Sequence, residues 1–180
     1  MNIRRISIRS IIYRIRQFVI ALIGKPNSVW VARAKEVLTD EQEALFLSLQ
    51  PNEQTHALTV FRKLLVREKT PDDLLVAALL HDVGKTYHPL SLWDRVLSVL
   101  AMVFFPDKFN KWGLGTPKGW RRPFVVACQH PYWGAELAIE SGASPLTAAL
   151  IRHHQDETAV HAFADGGELL RMLQQFDRES

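Results

Sequence analysis

Five places along this 180-residue chain combine imidazole and carboxylate groups: His56, the adjacent pair His81-Asp82, His130, the pair His153-His154, and Asp177. Imidazole nitrogens and carboxylate oxygens are ligands that first-row transition metals accept readily, and a buried histidine or acid is costly unless it meets a partner or a cation. Helical phase sets most of these groups on apolar faces. His56 repeats with Val60 and Leu64, His81 with Ala77 and Leu74, Asp82 with Ala78 and Leu75, His153 with Ala149 and Leu146, and Asp177 with Leu173 and Leu170. Positions four and seven apart lie on one side of a helix. One such residue alone would ordinarily be a hydrogen-bonded core residue. Their coincidence points to metal chemistry at a place where several antiparallel helices converge.

The elements that must position these groups read as helices. Thr39-Asp40-Glu41-Gln42 has the form of a capping box, and Pro51 suits a first helical turn leading into residues 52–69. Thr70-Pro71-Asp72-Asp73 supplies a cap at Thr70, a first-position proline and two acids facing the positive end of the dipole. The apolar run from Leu74 to Leu80 then leads into His81-Asp82 and stops near Gly84. Ser91 caps a segment through Phe105 that ends at Pro106, Ser144-Pro145 starts one through His154, and Gly166-Gly167 precedes the last, over residues 168–176. No alternating pattern is long enough to make a strand, so the expected fold is all-α.

Length bounds this to one domain with a substantial core, and 47% hydrophobic with 23% charged residues argues against disorder. Cys128, the only cysteine, cannot form an internal disulfide and suits a reducing compartment, so a cytoplasmic location is expected. The net charge of +3 conceals an asymmetry: residues 1–30 hold six basic residues and no acid, leaving the remainder mildly acidic. Isoleucines interleave with those arginines, which predicts a basic amphipathic arm over residues 1–28 ahead of a domain over residues 29–180. Such an arm would dock on its own domain or lie on the inner face of a membrane. Its arginines and the Gly24-Lys25-Pro26 sequence do not fit a secretory signal, and no apolar run reaches transmembrane length.

Residues 86–122 form an apolar and aromatic insertion. Leu92 to Phe105 is too apolar for an ordinary exposed loop, and Trp93, Trp112, Trp120 and Trp133 are interspersed with Lys108, Lys111, Lys118, Arg121 and Arg122. The first expectation is a lid over the metal cleft anchored by tryptophans. Peripheral membrane contact and a homodimer interface are the alternatives. Nucleic-acid binding is disfavoured, because no recognition motif accompanies the basic residues.

His56, the run Leu80-His81-Asp82-Val83-Gly84-Lys85 and the distal Asp177 resemble the H…HD…D signature of the HD-domain superfamily of metal-dependent phosphohydrolases. The resemblance spans about residues 52–178. His130-Pro131 with Gly134-Ala135-Glu136, and then His153-His154, are similar to the subgroup that adds histidines for a second metal. It implies an HD-type helical bundle in which His56, His81, Asp82 and Asp177 hold one divalent ion. Asp82 would bridge to a second ion on His130 and His153, because a carboxylate has two oxygens to offer. Histidine-rich ligation favours iron, manganese, zinc or cobalt over magnesium. Three departures stand out: the long stretch from Asp82 to His130, Gln155-Asp156 in place of the Gly-Tyr-Pro element of the cyclic-dinucleotide phosphodiesterases, and Asn52 where that subgroup can place a glutamate.

The function that the resemblance implies is hydrolysis of a small phosphomonoester or phosphodiester, nucleotides included, by metal-activated water. Asp82 would fix the ions, Lys85 would steady the phosphate, and His154 would assist the leaving group as an acid. A dinuclear-iron oxygenase and a non-catalytic, membrane-docked regulatory module are the alternatives. His88 and His161 fall outside the pattern.

Overall fold

The computed structural model describes residues 25–67, 69–163 and 166–180, so the basic arm expected over residues 1–28 lies outside the described residues except for its last few positions. The described residues form ten α-helices and two 3-10 turns, with no strand among them. In chain order the helices are α1 (Ser28–Lys35), α2 (Asp40–Leu47), α3 (Pro51–Leu65), α4 (Asp72–Leu80), α5 (Leu92–Phe104), α6 (Pro106–Trp112), α7 (Arg122–Glu140), α8 (Pro145–His153), α9 (Ala159–Ala162) and α10 (Gly167–Arg178). The 3-10 turns are Val83–Tyr87 and Gly119–Arg121.

Helix α4 is the centre of the bundle. Leu74 through Leu80 are all buried, and a helix that is apolar all round must be enclosed by neighbours. Helices α2, α3, α8 and α10 pack around it. Phe46, Phe61, Leu64, Leu150, Ile151, Leu170 and Leu173 close the core from those helices.

Local chemistry sets most helix starts where the sequence places them. Thr39 accepts the Gln42 N–H at 3.3 Å while the Gln42 side chain accepts the Thr39 N–H at 3.2 Å, the reciprocal pair of a capping box. Ser91 and Asp94 do the same for α5, and Ser144 accepts the Thr147 N–H at 3.0 Å for α8. The start of α4 differs from expectation. Pro71, not Thr70, occupies the cap, and the Thr70 side chain turns back instead, its hydroxyl donating to the Leu64 carbonyl at 2.9 Å and closing the end of α3.

The second difference is larger. Helix α7 is the longest among the described residues and carries Pro131 and Gly134 in its interior, two residues that ordinarily argue against a helix. Tertiary packing explains Gly134. The 3-10 turn after Asp82 lies flat on α7, and a β-carbon at Gly84 would overlap the His130 carbonyl oxygen and come within 2.6 Å of the Gly134 nitrogen. A β-carbon at Gly134 would press on the Gly84 nitrogen and on Ile151, both at 3.2 Å. The two glycines therefore let the His81-Asp82 segment and His130 approach each other. Gly84 serves this close approach rather than a left-handed helix end, since its φ is not positive.

The 86–122 segment is held by aromatic contacts on α7 and by one buried ion pair. Phe109, Trp112 and Trp120 pack around Phe124 with ring centroids 5.2 to 5.9 Å away. Arg95 donates to Glu53 and to the Gln50 side chain, each at 2.7 Å. Trp93 plays no anchoring part and is 79% exposed. No helix of the described residues is long and apolar enough to cross a membrane.

Candidate metal centre

Five elements deliver side chains to one region. Helix α3 supplies His56, the residues after α4 supply His81 and Asp82, α7 supplies His130, the end of α8 supplies His154, and α10 supplies Asp177. They form two groups whose ligand atoms lie within 4.8 Å of one another: His56, His81 and Asp177 in one, and Asp82, His130 and His154 in the other.

In the first group the Asp177 Oδ1 lies 2.7 Å from His56 Nε2 and 3.5 Å from His81 Nε2. In the second, Asp82 Oδ1 is 3.2 Å from His130 Nε2. The other oxygen of Asp82 faces back, 3.8 Å from His81 Nε2 and 2.6 Å from the Lys85 ammonium. Asp82 thus touches both groups. The His81 ring stands edge-on to His56 and His154 at 5.2 and 5.1 Å, and His154 reaches His130 at 5.3 Å, so the four imidazoles form a continuous chain.

Three of those imidazoles are oriented by the same device. The Nδ1 atoms of His81, His130 and His154 lie 2.9, 2.9 and 2.7 Å from the carbonyl oxygens of Ala78, Val126 and Ile151. A carbonyl can only accept, so each Nδ1 carries the proton and each ring turns its Nε2 inward. All three residues are buried, and Nε2 of His81 and of His154 has no hydrogen-bond partner. The neutral imidazoles of His130 and His154 offer Nε2 lone pairs, and His81 offers one once its Nε2 proton leaves; the carboxylate oxygens beside them carry lone pairs as well. A cation between these atoms would satisfy both sets, which is the arrangement that ligating histidines with a backbone-anchored second nitrogen adopt. The donor set fits a transition metal.

Electrostatics separates the histidines. Burial pushes the His81 imidazole down, yet Asp82 and Asp177 more than offset it and raise its pKa to about 9. Burial and the charge on neighbouring His81 and His130 drive His154 down to about 3, and burial with Lys85 also lowers His130. Asp82 and Asp177 lie well below the usual carboxylate range: although burial opposes it, Lys85 and His81 hold Asp82 ionised, and His56 and His81 do so for Asp177.

The double histidine sorts differently from the expectation. His154 lies in the cluster, whereas His153 is half-buried, turns its ring toward Phe163 at 6.0 Å and contributes only its carbonyl, which accepts from Gln174 at 3.0 Å. Successive helical positions differ by about 100° in direction, so the two rings point to different sides. The buried side of α8 is Thr147, Leu150 and Ile151, which is the side His154 continues; Leu146 and Ala149, with which His153 repeats, are only partly buried. The surroundings of His154 suit a ligand better than the acid expected from the sequence. Its Nδ1–H is committed to Ile151, and burial beside His81 and His130 lowers its pKa, which favours the neutral ring that ligation needs.

One residue near the cluster carried no signal in the sequence: Gln155, whose side-chain amide lies 3.5 Å from His130 Nε2. His88 packs edge-on against Trp133 at 5.5 Å, and His161 is exposed. A surface depression of about 470 Å3 between α7 and α8, lined by residues such as Glu136, Ile139 and Arg152, contains none of the clustered groups. Ligand geometry, not concavity, identifies this site.

The family model described as HD domain matches residues 52–175. That span contains His56, His81, Asp82, His130 and His154, and Asp177 follows just beyond its end. No curated protein and no solved structure matches the chain.

Proposed function

The chain belongs to the HD domain family, and from that premise we propose that it is a metal-dependent phosphohydrolase cleaving a small phosphomonoester or phosphodiester, nucleotides included. The observation that carries this reading is the set of three buried imidazoles whose Nδ1–H groups are spent on backbone carbonyls, so that their Nε2 atoms gather around two ionised aspartates. Without metal, Lys85 and a protonated His81 offset the two aspartates, but the buried Nε2 of His154 is left with no partner, and an ion would supply one. His56, His81, Asp82 and Asp177 would hold one ion, and Asp82, His130 and His154 a second, with iron, manganese, zinc or cobalt favoured by the nitrogen-rich set. Bound there, such ions lower the pKa of a coordinated water and polarise a phosphoryl group.

The chain's own residues supply the remaining parts. Asp82 turns one oxygen to each group, so a single carboxylate fixes the spacing between them. His81, His130 and His154 are held by the backbone and need no reorganisation to ligate. Lys85, positioned by Asp82 at 2.6 Å and partly exposed, keeps further N–H donors for a phosphate oxygen and gives the entrance a positive charge.

The test is phosphate release from a panel of phosphomonoesters, phosphodiesters and nucleotides by manganese-loaded protein and by Asp82→Asn, which keeps the side-chain shape. Turnover by wild type on at least one substrate, lost in the variant while the fold survives by circular dichroism, supports the reading. Turnover that persists undiminished in Asp82→Asn overturns it.

A further inference from the structure

Helix α5 is amphipathic the wrong way round. The side it turns to the protein carries Ser98 and Ala101, both buried, with Arg95 reaching back to Glu53, and the Ser98 hydroxyl finds no hydrogen-bond partner there. The side it turns to solvent carries Leu92, Trp93, Leu97, Val103 and Phe104, all exposed, Trp93 by 79% and Phe104 by 58%. A water-facing helix ordinarily shows the reverse, and a contiguous exposed apolar face of this kind marks an interaction surface.

The surroundings of that face identify what covers it. Lys108, Lys111 and Lys118 follow it in the chain, all exposed, and none has an ion-pair partner among the described residues. Of the two acids in the segment, Asp94 is occupied by the α5 cap and by Arg122 at 3.6 Å, which leaves only Asp107 to offset the lysines. Lys108 reaches back over the Phe105 ring at 5.5 Å, at the end of that face, and Trp120, a second exposed tryptophan, follows Lys118 by two positions. Apolar side chains bounded by lysine and tryptophan are the composition of a helix that lies in the plane of a lipid interface. At 13 residues α5 is too short to cross the hydrocarbon.

The geometry points to docking of the α5 face, with its lysine rim, on an anionic lipid bilayer. Self-association through the same face would bring lysines against lysines across a twofold axis. Residues 1–24, with five arginines and no acid, carry the same sign as the rim, so the arm and the rim share a preference for an anionic partner rather than for each other. This inference concerns a surface and does not depend on the chemistry proposed for the metal centre.

Flotation of the full chain with phosphatidylcholine vesicles, with and without phosphatidylglycerol, tests it. Two double variants at exposed positions, Trp93→Ser/Phe104→Ser and Lys108→Glu/Lys111→Glu, are compared after thermal unfolding confirms that each retains the fold. Wild type should float with the anionic vesicles, respond to salt, and lose about tenfold in partitioning with either double variant. Equal partitioning of all three proteins overturns the inference in favour of the arm alone. Absence of flotation overturns it too, whether the wild type proves to be a dimer that Trp93→Ser/Phe104→Ser makes monomeric or binds RNA in place of vesicles.

Discussion

Gly84 lies so close to the backbone of His130 that a β-carbon at Gly84 would overlap the His130 carbonyl oxygen. The glycine sits two positions after Asp82, so this contact sets how near Asp82 comes to His130 Nε2, now 3.2 Å. Gly84→Ala should push the 3-10 turn off α7, destabilise the protein by about 1–3 kcal/mol as overpacked cores do, and weaken metal binding in the Asp82 group. Denaturant unfolding and metal titration of the variant measure the two effects. Unchanged stability would mean that the turn has room to move.

The two neighbouring histidines make a matched comparison. His154→Ala removes an inward Nε2 and should weaken binding of one ion by roughly 100-fold or more. His153→Ala removes a half-buried ring packed on Phe163 and should leave metal affinity within about threefold, with a stability loss near 1 kcal/mol. Parallel metal titrations decide it; equal losses in the two variants contradict the assignment.

The metal-free protein should be most stable near pH 6.5. His81, raised to about 9, contributes stability that is complete below its unfolded value of 6.5 and disappears as pH climbs through 9. His154, depressed to about 3, contributes in the opposite sense: its share is complete above 6.5 and is lost as pH falls toward 3, with His130 adding to that limb. Asp82 and Asp177, both held below 3.8, add further loss in acid. Thermal unfolding in the presence of a chelator, across that range, should trace a maximum with both limbs falling. Substituting His81 by Gln should abolish the alkaline limb and also change the acid limb, because His81 helps to lower His154, Asp82 and Asp177.

Metal binding should release a proton from the same residue. A ligating Nε2 must be unprotonated, so at pH 7 an ion entering the His56, His81 and Asp177 group displaces about one proton, and apparent affinity rises by ~50-fold between pH 7 and pH 9. Calorimetry in buffers of different ionisation enthalpy counts that proton. Zero release at pH 7 would place His81 outside the coordination sphere.

The buried pair of Arg95 and Glu53 ties the start of α5 to the first turn of α3, one turn ahead of His56. Arg95→Met strands a buried carboxylate and should cost about 3 kcal/mol, most of it recovered in the double variant with Glu53→Gln, which keeps an acceptor for the Gln50 N–H. Denaturant unfolding of the single and double variants closes that cycle.

What could be read from the sequence was what local chemistry decides. Thr39, Ser91 and Ser144 announce their helices because a cap is a contact between residues three apart. His56, His81 and Asp177 could be set on inward faces because each continues an apolar stripe, and the structure gathers those three. Helix α7 was hidden because Pro131 and Gly134 break its pattern, and the reason for Gly134 is a neighbour, Gly84, fifty residues away. His153 and His154 could not be sorted because both follow partly apolar stripes at the end of α8; only the packing of α8 on α4 and α7 selects Leu150 and His154 as the inward pair. The outward apolar face of α5 was legible as composition, but its direction follows from the Arg95 and Phe124 anchors.

The central claim is that Asp82 joins two metal positions, one on His56, His81 and Asp177 and the other on His130 and His154. Crystals grown with manganese and measured at its absorption edge test this most directly. The account predicts two anomalous peaks, one within each histidine group, with an Asp82 oxygen on each. A single peak, or a peak ligated by His153 with His154 turned away, would contradict it.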